Sequence, residues 1–275
     1  FREVLVANYF GATGLTDAFL VAMIIPISIL GLFAGGFSTL VIPFYLERKA
    51  RSLEAARRFV NSALTVWGSV FILVSLLILI FTPQLVRLIA YGFKGERFVL
   101  AVTLTRYLVI SGLFTVLVGI FTGLFQAEKQ FFFPIFITFI GNIAIVFSLL
   151  FLHRYLGINS WTVGQILSAS IAFFAMFFVL YRDHKFFHSL SFRQVDWGEI
   201  RQFALLLLPL VIAGGLSIIN QIVDKTIASG LDPGSIAALN FSARVSNIPL
   251  SLLAIPIATA IFPTFSELAL NGSAR

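Results

Sequence analysis

Long apolar runs, separated by short charged segments, set the plan of this chain. Stretches dominated by Leu, Ile, Val, Phe and Ala cover roughly residues 17–46, 59–82, 98–125, 131–152, 159–181, 202–229 and 235–266. Residues 1–10 read as the end of one more. A bilayer core about 30 Å thick takes about 20 apolar residues in a helix. The pattern therefore predicts seven complete transmembrane helices and one partial helix. Charge crowds into the connections, as in ERKARSLEAARR (47–58) and YRDHKFFHSLSFRQVDWGEIR (181–201).

Composition agrees. Only 11% of the 275 residues are Asp, Glu, Lys or Arg, where a soluble domain uses roughly 25%. The mean hydropathy is +1.00. The fold class is an all-α polytopic membrane protein. The net charge of +7 fits basic loops beside anionic headgroups better than a nucleic-acid site, because the cations are scattered and lack aromatic interleaving. Cys is absent, so disulfides and thiolate metal sites are excluded. His153, His184 and His188 lack metal-ligand spacing. Neither a GxxxxGK[ST] phosphate loop nor a GxSxG elbow occurs. We expect no enzyme chemistry, no cofactor and no metal. The opening FREVLVANYF starts mid-pattern and shows no signal peptide, so the chain reads as part of a longer one.

Lys and Arg concentrate on the cytoplasmic side of membrane proteins. One set of alternate connections holds ten: Arg48, Lys49, Arg51, Arg57, Arg58, Lys129, Arg182, Lys185, Arg193 and Arg201. The other holds five: Arg87, Lys94, Arg97, Arg154 and Lys225. The first set is then cytoplasmic, and the helix beginning at Asp17 runs inward. Pro26, Gly31, Gly35 and Gly36 are expected to break that helix. Pro209, Gly214 and Gly215 are expected to break the 202–229 helix, and Pro249 and Pro256 the last one. Broken helices line many transporter pathways.

A faint repeat joins two of these helices. Shifted by 220 residues, the Asp17 helix lies over the last, with Gly14 on Gly234, Leu30 on Leu250, Leu32 on Leu252, Ala34 on Ala254, Pro43 on Pro263 and Glu47 on Glu267. This implies two parallel lobes: residues 1–182, a cytoplasmic linker at 183–200, and the start of a second lobe at 201–275.

Charges within the spans carry the chemistry. An ionisable group at the bilayer centre costs at least about 2.5 kcal/mol, so it survives by facing a cavity or pairing. Arg244 lies about 15 Å into the last span. Asn240 and Asn247 share its helical face, a polar stripe that points to a wet cavity or an interhelical clamp. Asp17 stands at the outer end of its helix, where it can cap its own N-terminus with Thr16. Lys225, beside Asp224, is expected to snorkel to the outer rim, and Arg106 likewise. Asn142 and Gln165 read as interhelical hydrogen bonds.

Four stretches in register carry a family resemblance over nearly the whole chain: FREVLVANYFGATGLTDAFLVA, FAGGFSTLVIPFYLE, KQFFFPIFITFIGNI and ASGLDPGSIAALNFSARVSNIPLSLLAIPIATAIFPTFSE. They resemble the MurJ/MviN family of lipid II flippases, within the multidrug/oligosaccharidyl-lipid/polysaccharide exporter superfamily. The resemblance implies a MATE-like helical bundle of two lobes around a central cavity, in the bacterial cytoplasmic membrane. It implies transport of lipid-linked peptidoglycan precursor to the outer leaflet, an anionic lipid substrate, contact with membrane lipids, and cell-wall synthesis enzymes as possible partners. Arg2 and Arg244 match the family's pyrophosphate-binding arginines, with Asn240 and Asn247 beside them. Asp17 matches its transport acid and Glu3 the acid after the first arginine. Gly35, Gly36, Gly214 and Gly215 are expected to be the flexing points. At Ile29–Phe33 the family's double arginine is absent, and Gly35 stands in place of its acid. Another lipid-linked oligosaccharide exporter, a cationic drug antiporter and a non-transporting scaffold stay open as alternatives.

Overall fold

A computed structural model describes residues 2–182 and 195–249. In chain order the helices are α1 (Arg2–Phe10), α2 (Gly14–Ala22), a π-helical segment (Ile24–Ile29), α3 (Leu30–Arg51), α4 (Leu53–Ile89), α5 (Gly95–Ala127), α6 (Phe132–Leu156), α7 (Asn159–Arg182), α8 (Trp197–Ser229) and α9 (Ser235–Pro249). No strand occurs among the described residues. Six spans there are long and apolar enough to cross a membrane, with α2, the π segment and α3 forming one of 38 residues. The expected last span, 235–266, is described only to Pro249. Its second half, with Pro256, Leu250, Leu252, Ala254, Pro263 and Glu267, lies outside the described residues, as do 183–194 of the linker.

Local chemistry sets the boundaries. Ser52 caps α4 by accepting a hydrogen bond from the Ala55 N–H at 3.0 Å, with Glu54 in the first turn and Arg87 in the last. Asp196 caps α8 through the Gly198 and Glu199 N–H groups at 3.0 and 3.1 Å. Gly157 ends α6 with φ +53°, a conformation suited to glycine.

α5 is the central post, packed by α2, the π segment, α3, α4 and α7. Its glycines allow this. A methyl at Gly119 would lie 2.6 Å from the Ala34 Cα, and one at Gly123 would lie 2.9 Å from the Ser38 carbonyl oxygen. Small residues let membrane helices approach backbone to backbone. Gly119→Ala is therefore expected to destabilise the fold by about 1–3 kcal/mol through overpacking. The check is a lowered melting temperature of the solubilised full-length protein; an unchanged one would contradict this packing.

The expected glycine breaks do not occur. Gly31, Gly35 and Gly36 lie inside continuous α3, and Pro209, Gly214 and Gly215 inside continuous α8. The interruption in the first span is the π segment around Pro26, which has no N–H to give. Hydrocarbon offers no substitute for a lost backbone bond, so glycines here serve contact instead. Leu207 of α8 sits on Gly36 of α3, and Leu32 of α3 sits on Gly214 of α8. Gly35 faces open space, and its carbonyl accepts from Ser38 Oγ at 2.9 Å and Thr39 Oγ1 at 3.1 Å. Such back-bonding softens a helix without breaking it.

Candidate functional site: two joined hollows and their seals

α1 is short and packs mainly on α6, burying Leu5 and Val6. Its far end is fixed by Tyr9, stacked on His153 of α6 at 4.0 Å. That places the first turn of α1, with Arg2 and Glu3, opposite Arg244 of α9. Arg2 Nη2 lies 2.8 Å from Glu3 Oε1, and Arg244 Nη2 lies 3.7 Å from the same oxygen. One carboxylate thus stands between two guanidinium groups. The longer contact exceeds hydrogen-bond range, and Arg244 makes no hydrogen bond among the described residues.

Both arginines and Glu3 line a hollow of about 550 Å³, whose other wall is Phe139, Asn142, Ile143 and Val146 of α6. Asn142 donates to the Thr138 carbonyl of its own helix at 3.0 Å, rather than to another helix as expected. A second hollow, of about 380 Å³, shares Arg244 and is lined by Gln221, Asp224 and Lys225 of α8 and by Asn240 and Asn247 of α9. The structure therefore brings Arg2, Glu3, Arg244, Asn240 and Asn247 onto two hollows that share Arg244 in their walls. A cationic end beside an apolar wall suits an anion carried on a hydrocarbon chain. Gln165 lines a separate small hollow with Ser111, Thr115, Thr138 and Ser168, and makes no interhelical hydrogen bond among the described residues.

Asp17 ties α2 to α9, in a way the sequence reading missed. Asp17 is 1% exposed and does not cap its own helix, whose N-cap is Thr13. Its carboxylate instead accepts the Gly234 N–H at 2.6 Å and the Ala237 N–H at 2.7 Å, capping α9. Ala237 is the residue that a 220-residue shift lays over Asp17, so the starts of the two repeat-related helices face each other. Gly234 holds φ +101° and abuts the Ala12 carbonyl, leaving no room for a side chain. Nearby, the Gly92 N–H donates to Ser229 Oγ at 3.2 Å. Lys225 also departs from expectation: it turns inward, and its Nζ donates to the Leu20 carbonyl of α2 at 3.0 Å.

Arg48, counted from sequence only as a loop cation, ties α3 to α8. Arg48 is 4% exposed. Its Nε lies 2.9 Å from Glu199 of α8, and its guanidinium stands 4.6 Å over the Phe44 ring. Phe203 of α8 is fully buried among Phe37, Phe44, Phe59 and Trp67. The visible signal was Phe44 one turn before Arg48, a spacing that stacks them. Arg48→Met leaves the part-buried Glu199 carboxylate without its Arg48 partner, a loss worth about 1–3 kcal/mol. The expected result is a wider, more heterogeneous spin-label distance between the C-terminal end of α3 and the N-terminal end of α8. An unchanged distribution would show that Arg48 does not hold these two helices together.

With this geometry in hand, the chain can be set beside known proteins. The family described as "Lipid II flippase MurJ" matches residues 6–274. A Rickettsia prowazekii protein named "Probable lipid II flippase MurJ" is 28% identical over 273 residues, covering 97% of this chain and 53% of that protein. A Burkholderia cenocepacia protein named "Lipid II flippase MurJ" is 27% identical over 276 residues, with 97% and 53% covered. A solved structure titled "Lipid II flippase MurJ, inward closed conformation" superposes with a TM-score of 0.84 at 27% identity, covering 98% of this chain and 56% of that one. The chain spans about half the length of the curated relatives it matches. The family match over nearly every residue, together with the all-helical architecture it shares with that solved structure, makes this chain a member of the MurJ lipid II flippase family.

Proposed function

We propose that this chain, as part of a full-length protein, moves a polyprenyl-diphosphate-linked cell-wall precursor, lipid II, from the inner to the outer leaflet of the bacterial cytoplasmic membrane by alternating access. The observation that carries this is the single hollow shared by Arg2 and Arg244, with only Glu3 between them. Guanidinium groups keep their charge in a dry setting and offer paired donors to phosphate oxygens. A diphosphate entering here replaces Glu3 as the anion facing Arg244. The apolar wall of α6 lies where a polyprenyl chain would leave the headgroup. Asn240 and Asn247 then offer amides to the rest of the headgroup.

In this reading residues 1–182 form one lobe and 201–275 begin the other, joined by the 183–200 linker. Asp17 holds the outer end closed, and the Gly36–Leu207 and Gly214–Leu32 contacts are the pivot between lobes. The test is binding of lipid II to the purified full-length protein, with an uncharged polyprenol as control. Saturable binding of lipid II alone is expected; equal binding of both would remove the anion from recognition and sink the proposal.

A second reading rests on one observation. Where the family pattern has a double arginine, this chain reads Ile29-Leu30-Gly31-Leu32-Phe33, one residue shorter and without a charge. In this second reading, with fewer cations to hold it, the headgroup is that of a different lipid-linked oligosaccharide. Competition between that lipid and lipid II in the same assay separates the two.

A further inference from the structure

Lys225 has no place in the function so far, yet its surroundings are those of a ligand group. It is half-buried in a transmembrane helix. Its one hydrogen bond among the described residues is to a neutral backbone carbonyl, Leu20, and it makes no ion pair there. An ammonium ion in such a place is costly unless a counter-charge arrives. Asp224 lines the same hollow but is the next residue along α8, about 100° round the helix, and no ion pair joins the two. The opposite wall, α9, offers Arg244, another cation, and two amide side chains, Asn240 and Asn247, while Gln221 lies one turn before Lys225 on α8 itself. The two cations repel each other across the hollow, and an anion between them relieves both.

Position along the membrane gives this site a direction. Arg244 follows the start of α9 by nine residues, about 14 Å of helix. Lys225 precedes the end of α8 by four residues, about 6 Å. Lys225 therefore lies outward of Arg244, just beneath the Asp17 seal. Its partner Leu20 is three residues from Asp17 on α2.

We propose that Lys225 is a second anion station, taking a lipid-borne diphosphate passed outward from the Arg2–Arg244 hollow. Arg244 lines both hollows and is the hand-over point. An arriving diphosphate draws the ammonium from the Leu20 carbonyl. That removes one tie between α2 and α8 directly below the outer seal, so arrival of the anion loosens the gate it must pass. This inference rests on the diphosphate reading above.

The experiment uses the full-length protein in nanodiscs, with farnesyl diphosphate as probe and farnesol as control. Lys225→Gln keeps a donor for Leu20 and removes the charge; Lys225→Arg keeps the charge. The Gln variant is expected to bind farnesyl diphosphate about tenfold more weakly, while the Arg variant stays near wild type. Farnesol binding is unchanged in both. In the wild-type protein, farnesyl diphosphate is expected to shield the Lys225 amine from acylation, read by mass spectrometry, so the proposal does not depend on variants folding. Wild-type affinity in the Gln variant, or acylation of Lys225 that the diphosphate leaves unslowed, overturns the station. Arg244→Gln, run in parallel, separates the levels. If it alone weakens binding, the second station fails and the first stands. If neither substitution matters, the diphosphate reading itself has failed.

Discussion

Replacing Arg244 by glutamine in the full-length protein is expected to abolish rescue of a flippase-depleted bacterial strain, with the protein still accumulating in the membrane. The expectation follows from how little holds Arg244 in place. Its side chain is 56% exposed and its contact with Glu3 is 3.7 Å, so its guanidinium donors are uncommitted. A residue that contributes so few native contacts costs little stability when removed. Its value lies in the ligand. A bidentate guanidinium–phosphate contact comprises two charge-assisted hydrogen bonds, each worth roughly 1.5–3 kcal/mol. Losing both weakens retention by at least about a hundredfold. Removal also leaves Glu3 balanced by Arg2 alone, so the hollow turns from net positive to neutral. Arg244→Lys keeps the charge and loses the fork, and is expected to fall between. Normal growth of the depleted strain on the glutamine variant, at normal expression, would take Arg244 out of the mechanism.

The spans were legible because a transmembrane helix advertises itself: twenty apolar residues have few other uses. The expected helices at 59–82, 98–125, 159–181 and 202–229 fall within α4, α5, α7 and α8, and that at 131–152 within α6 but for its N-cap, Phe131. Less legible was what glycine does within them. Gly36 and Gly214 suggested breaks, because sequence shows flexibility but not the neighbour that occupies the space. The leucines that seat on them, Leu207 and Leu32, are over 170 residues away in each case, on helices with no local reason to meet. The same limit hid the partners of the charges. Arg2, Glu3 and Arg244 were visible as ions in apolar sequence; that one carboxylate faces both arginines is a fact of packing. Asp17 and Thr16 looked like a self-cap, since Thr and Asp at a helix start have that use. The repeat carried a clue to the alternative. The 220-residue shift lays Asp17 over Ala237, and the structure puts the Asp17 carboxylate on the Ala237 N–H.

That arrangement makes Asp17 the residue whose loss should most change the conformation of the protein. Asp17→Ala leaves the Gly234 and Ala237 N–H groups without the acceptor they now share. A lost helix cap costs up to about 2 kcal/mol, and the burial of these groups puts the cost at the upper end. Because the cap joins α2 to α9, the penalty falls on the outward-closed state and not on either lobe alone. A shift of about 2 kcal/mol changes the closed-to-open ratio about 30-fold. These 275 residues hold no cysteine, so single cysteines placed at the outer ends of α2 and α9, in a full-length protein with any further cysteine replaced by serine, report this region alone. Spin labels there are expected to separate in the Asp17→Ala protein, and a cysteine at the Asn240 position is expected to react faster with an impermeant outer reagent. Asp17→Asn keeps one oxygen acceptor and should lie between wild type and Ala. Transport needs both states in turn, so a protein biased open is expected to bind the precursor and fail to return for more. If distances and labelling rates in the Ala variant match the wild type, the Asp17 contact is a local cap with no part in the gate.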